Sequence, residues 1–248
     1  MPFWLAYLLL CALQAATAAL PVRTLRLPLA SSRVGALVPL VLIAVASLAL
    51  ATSAAAARTA VDLASVGTPI AALAAALVVP RRLRLPVGAV AVAATAIAFS
   101  SSGDAARCIA IALACVTFSA LVAPLAPIRL LQLAIVVTAA ADVVLVLSRQ
   151  MERAANALGQ APPPSGLPHF QDATLGPAAM GYGDLFLAAL LGALVARGET
   201  GRRALVAVSL LAAGAAFGLL FLRTDLLPAT VPVAVAMLAG IAQARDRR

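Results

Sequence analysis

Two aspartates stand where a carboxylate is costly. Asp142 lies in AIVVTAAADVVLVLS and Asp184 in MGYGDLFLAALLGALVA, each surrounded by apolar residues. An ionisable group deep in such a stretch faces a bundle interior or a watery cavity and is a functional candidate by default. Two carboxyls in contact at low dielectric cannot both ionise, so one keeps a proton while the other serves as a base. That is the requirement of aspartic proteolysis: the base activates a water, and the acid protonates the carbonyl oxygen and later the leaving amine. The remaining acids read differently. Asp62 and Asp104 sit near Arg58 and Arg107 as helix-end pairs, Asp225 neighbours Arg223, and Asp172 reads as a loop charge.

The residues around Asp184 suit that task. Gly181 and Gly183 remove side chains beside the carboxyl, let another backbone approach and weaken the helix there. A helical substrate hides its peptide bonds, so it must be unwound and held extended, most simply as a strand added beside exposed backbone. A third element is TDLLPATVPVAVAML, where Pro228 and Pro232 interrupt the helical ladder and free backbone groups for such a substrate. No metal, nucleotide or nucleophilic serine constellation is visible, so hydrolysis is expected to need no cofactor. Cys11, Cys108 and Cys115 lie in apolar runs without CxxC spacing and read as small buried hydrophobes. His169 has no second ligand nearby and reads as solvated or interfacial.

The elements that position these residues follow from composition. The 248 residues are 64% hydrophobic and 11% charged, with a mean hydropathy of +1.07. One water-soluble core of this length cannot bury that much apolar surface, so the excess faces lipid. A soluble enzyme, a disordered chain and a secreted disulfide scaffold are excluded. The net charge of +9 comes from 18 Arg and no Lys, scattered between apolar runs as loop charges and not as a nucleic-acid-binding face. Breaks at charged and Pro-rich positions leave nine apolar segments, approximately 3–20, 35–57, 60–79, 87–101, 105–123, 128–148, 178–196, 204–222 and 226–242. The first lacks a basic leader, and Trp4 and Tyr7 suit interfacial anchors, so it is expected to be a retained span.

The expected fold is all-α: one polytopic membrane bundle over 1–248, with N-terminal helices in 1–126 and catalytic helices in 127–248. Between the sixth and seventh segments runs the polar loop 149–174, where MERAANALGQ suits a short interfacial helix before the breaker run APPPSGLP. With nine spans, 13 Arg fall on one side and 5 (Arg58, Arg107, Arg149, Arg153, Arg223) on the other. The positive-inside rule then predicts a multi-pass cell-membrane protein with its N-terminus outside and its C-terminus cytoplasmic. Counted from the cytoplasmic helix ends at 1.5 Å per residue, Asp142 lies about 21 Å deep and Asp184 about 20 Å. Antiparallel neighbours would bring both carboxyls to one level.

In these features the chain resembles the presenilin and signal peptide peptidase group of intramembrane aspartyl proteases. That group carries YD in its sixth span, GxGD in its seventh and PAL at the start of its ninth. Here the counterparts are Ala141–Asp142 followed by VVLVL, GYGD at Gly181–Asp184 and PAT at Pro228–Thr230. The resemblance covers the last four segments by motif and the first five by count; Ala141 stands for the usual Tyr and Thr230 for the usual Leu. It implies Asp142 and Asp184 as the catalytic pair, and Gly181, Tyr182, Gly183, Pro228, Ala229 and Thr230 as substrate-binding residues. An outside N-terminus matches the signal peptide peptidase branch, which implies signal-peptide remnants or type II single-span proteins as substrates. Prepilin peptidases also use GxGD, but they carry Lys two residues beyond it, where this chain has Phe186, and a long cytoplasmic segment with Cys clusters. A proton-coupled transporter would show broken helices in two related halves, and no repeat is visible. A non-catalytic relative that only binds transmembrane helices is the remaining alternative.

Overall fold

A computed structural model describes residues 1–23, 54–100, 103–148, 163–164, 167–198, 202–224 and 227–245. The helices are α1 (Phe3–Ala19), α2 (Ala54–Val78), α3 (Arg81–Ala98), α4 (Asp104–Val122), α5 (Ile128–Leu147), α6 (Tyr182–Ala196), α7 (Arg203–Gly218) and α8 (Thr230–Arg245). A hairpin of β1 (Asp172–Leu175) and β2 (Ala178–Gly181) precedes α6. Among the described residues four helices, not the nine expected, are long and apolar enough to cross a membrane: Arg58–Val78, Asp104–Leu125, Ile128–Leu147 and Arg203–Leu222. That is the make-up of a multi-pass membrane protein.

The departures from the expected segments have local causes. Most of segment 35–57 and all of MERAANALGQ lie outside the described residues. Arg58 and Thr59, expected to separate two segments, are inside α2. α3 starts at Arg81 and runs through Pro86, so Arg81, Arg82 and Arg84 are helical and dilute its apolar character. α6 starts at Tyr182 because residues 178–181 pair as a strand. α8 starts at Thr230, which leaves Pro232 in the first turn, where the missing N–H costs nothing.

A few close contacts fix the helix directions. The Arg23 N–H donates to the Val78 carbonyl at 2.7 Å, joining the ends of α1 and α2. Arg197 Nη1 donates to the carbonyls of Ala123 and Ala126 at 2.6 and 3.1 Å, joining the ends of α4 and α6. At the opposite end, Met1 lies beside the hairpin turn, where a Cβ on Gly176 would be 3.6 Å from the Met1 methyl. Thus α1, α2, α4 and α6 run in one direction, and the N-terminus sits on the hairpin side. Arg23, Arg81, Arg82, Arg84, Arg129, Arg197, Arg202, Arg203 and Arg245 belong to the far end, while Arg58, Arg107 and Arg223 belong to the hairpin end.

Helix α6 joins the two buried clusters. Leu185 and Ala189 belong to the cluster formed with α1 to α4 and the hairpin, whereas Leu187, Leu190, Leu191 and Leu194 belong to the one formed with α5, α7 and α8. A helix apolar on all sides is the one a bundle buries centrally. Small residues permit its tight crossing with α1, where a Cβ on Gly192 would lie 2.5 Å from the Ala18 carbonyl oxygen. Tyr7, expected as an interfacial anchor, instead turns toward α7: its hydroxyl donates to the Gly214 carbonyl at 2.7 Å, while Trp4 stays exposed. Gly192→Val must force α1 and α6 apart and is expected to cost about 1–3 kcal/mol. Thermal unfolding in detergent measures this, and Gly183→Ala, whose Cβ would meet nothing within 4 Å, serves as the unaffected control.

Candidate active site

Asp184 is placed by the hairpin that feeds its helix. Pairing runs from Asp172↔Gly181 to Leu175↔Ala178, leaving Gly176 and Pro177 as a two-residue turn. Gly176 has φ +57°, the positive value that the first position of such a turn favours. One hairpin face is buried through Ala173, Ala178 and Met180, and the other exposes Thr174 and Ala179. From α4, the Cys108 thiol donates to the Thr174 carbonyl at 3.4 Å and the Cys115 thiol to the Tyr182 carbonyl at 3.7 Å. All three cysteines are free and buried, as expected from the sequence, and these two also tie down the hairpin and the start of α6.

The chain passes from strand to helix at Gly181, so Asp184 falls in the first helical turn. Its Oδ2 accepts the Gly181 N–H at 3.0 Å, satisfying a donor that the helix start leaves unpaired. Gly181 has an ordinary extended backbone, and closeness is what excludes a side chain: a Cβ would lie 3.1 Å from Asp184 Oδ2. Gly183 is exposed and borders open space. Tyr182 differs from its neighbours: it packs against the buried cluster of α2 and α4 and anchors the helix start.

Asp142 ends the buried stripe of α5, which comprises Leu131, Ala134, Ile135, Ala139 and Asp142 at helical spacing. Its Oδ2 accepts the Thr230 hydroxyl at 2.7 Å, a buried bond. A hydrogen bond to a charged group is worth about 2 kcal/mol. Asp142 and Asp184 come from different helices, α5 and α6. Among the described residues neither carboxyl has an arginine partner; the ion pair that does form is Asp104–Arg107, whereas Arg58 and Asp62 are exposed and unpaired.

The PAT segment is held from within the protein. Pro228 and Thr230 are buried, and the Pro228 carbonyl accepts the Val231 N–H at 3.2 Å. The Ala229 carbonyl, expected to be free for substrate, accepts Gln14 Nε2 at 3.3 Å. The same nitrogen donates to the Asp184 carbonyl at 3.4 Å. Gln14, 1% exposed on α1, is thus a site residue that the sequence reading did not select. Its signal was present: a lone carboxamide inside an apolar helix needs internal partners. His169 is half-buried and contacts Gln171, and among the described residues no group of His, Cys, Asp and Glu is arranged to hold a metal.

No protein-family model, curated protein or solved structure matches the chain.

Proposed function

We propose that the chain is an intramembrane aspartyl protease that hydrolyses peptide bonds within transmembrane helices, with Asp142 and Asp184 as its acid–base pair. The observation that carries this reading is that two acidic residues from different helices are both tied to residues 229–230, Asp142 through the Thr230 hydroxyl and Asp184 through Gln14, and neither is paired with a described cation. So costly an arrangement is retained where it does chemistry. In the proposed reaction the ionised carboxyl takes a proton from water as the water oxygen attacks the peptide carbon. The protonated carboxyl gives its proton to the carbonyl oxygen. As the diol collapses, the carboxyl that took the proton from water gives it to the amine nitrogen, and the other carboxyl takes a proton from a diol hydroxyl. The C–N bond breaks, and the pair is left with one proton as it began.

The hairpin supports an extended mode of substrate binding. Its exposed face presents Thr174, Ala179 and Gly181, with Asp172 on the same side, and leads directly to Asp184, with open space at Gly183. Arginines concentrated at the end far from the hairpin support an outside N-terminus, with the pair nearer the outer surface. The test is cleavage of a single-span reporter by the purified protein in liposomes, with fragments identified by mass spectrometry. Cleavage within the span, blocked by a hydroxyethylene peptide isostere, supports the reading; an intact reporter and no isostere binding would end it.

Two glycine variants separate passage of substrate from placement of the carboxyl. Gly183→Leu fills the open space and is expected to raise KM on the order of tenfold, with Asp184 unmoved. Gly181→Ala presses on Asp184 Oδ2 and is expected to lower kcat by a similar factor, since displacements of an ångström or less weaken catalysis. Steady-state kinetics on the reporter distinguish the two.

A further inference from the structure

We infer that Gln14 and Thr230 form one positioning device that sets the separation of the two aspartates; this rests on the protease reading above. Each aspartate is tied to the same short turn, residues 228–230. Asp142 is tied through its side chain, whose Oδ2 accepts the Thr230 hydroxyl at 2.7 Å. Asp184 is tied through its backbone, because Gln14 Nε2 bridges the Asp184 and Ala229 carbonyls at 3.4 and 3.3 Å. The connection runs from α6 through α1 to the turn before α8, and from there to α5.

The identity of each group suits the role. Both partners of Gln14 are carbonyls, so only its amide nitrogen, with two hydrogens, can serve both. The tight crossing at Gly192 and Ala18 brings α1 close to α6, and Gln14, about one turn before Ala18, reaches the Asp184 carbonyl, about two turns before Gly192. Thr230 replaces the Leu of the resembling family, and a leucine there has no donor for Asp142. Contacts make this link important for α5 in particular, because α5 rests chiefly on α8, and its packing on α6 is slight by comparison. Asp142 is therefore located relative to Asp184 through α8 and Gln14 more than through direct packing of their two helices.

The test uses kinetics and a distance that does not depend on cleavage. Thr230→Val removes only the hydroxyl in an isosteric side chain, Thr230→Ser keeps it, and Gln14→Leu removes the bridge. Thr230→Val and Gln14→Leu are each expected to lower kcat about tenfold with KM nearly constant. Thr230→Ser is expected to restore the rate, and the double variant to lose little more than either single one. A multiplicative loss in the double variant would overturn the single device. Spin labels at Leu147→Cys on α5 and Ala179→Cys on β2 report the separation directly; both sites are exposed, and the native cysteines are buried. A narrow distance distribution is expected in the parent and Thr230→Ser proteins, broadening in Thr230→Val and Gln14→Leu. An unchanged distribution in the last two would overturn the proposal whether or not the protein cleaves. Broadening in a protein that cleaves no reporter would retain the device and remove the protease reading.

Discussion

Asp142→Ala and Asp184→Asn are each expected to reduce cleavage of a transmembrane reporter by at least about 10³-fold while leaving the protein folded. The two substitutions remove different halves of one proton exchange. Ala at 142 deletes a proton carrier and leaves the Thr230 hydroxyl to find another acceptor. Asn at 184 keeps the shape of the side chain and an oxygen for the Gly181 N–H, so the helix start survives while the titratable group is lost. Acid–base groups of this kind contribute about 10²–10⁴-fold each, and losing either leaves the other without its partner. Both variants are expected to stay folded, because the charge removed is one the bundle carries at a cost. In Asp142→Ala that cost offsets the lost hydrogen bond of about 2 kcal/mol to Thr230. The measurement is fragment yield against time, with thermal unfolding of each variant as the folding control. Cleavage retained by either variant would refute the assignment of the pair.

Direction gives the second large effect. A chiral site that holds an extended chain accepts it in one N-to-C sense, so the enzyme's orientation selects that of its substrate. The N-terminus lies beside the hairpin turn, and nine of the arginines in described segments belong to the opposite end against three at the hairpin end. With the arginine-rich end inside, the resemblance to signal peptide peptidases implies substrates whose N-terminus is cytoplasmic. Two reporters sharing one transmembrane sequence in opposite orientations are expected to differ all-or-none, only the one with a cytoplasmic N-terminus being cut. Cutting of the other alone, or a C-terminal tag detected outside, would reverse the assignment.

The two aspartates were legible because a carboxylate within an apolar run is conspicuous whatever surrounds it. The hairpin was not. Ala178–Gly181 is apolar and continuous with the helix that follows, and four residues are too few to distinguish period 2 from period 3.6. A lone carboxamide in an apolar helix signals that Gln14 needs internal partners, but those partners are backbone carbonyls 170 and 215 positions away, which no side-chain pattern identifies. Thr230 was noticed only as a departure from Leu; that its hydroxyl meets Asp142 depends on how α8 is turned against α5, which hydropathy does not encode. The arginines of α3 break the apolar pattern and so resemble a loop in sequence, whereas they lie in the first turn of a helix.

The Arg197 bonds to the Ala123 and Ala126 carbonyls also have a mechanical meaning. They fasten α6 at one end, and Asp184 sits near the other, about 20 Å away along the axis. The helix is therefore a lever with its fulcrum at Arg197 and Asp184 near the tip. A tilt of about 5° about that fulcrum carries the carboxyl through about 1.7 Å, while residues beside the fulcrum barely move. A neighbouring helix that shifts against α6 near Arg197 thus displaces the aspartate by more than it moves itself, and a loosened fulcrum at the arginine-rich end would be felt at the hairpin end.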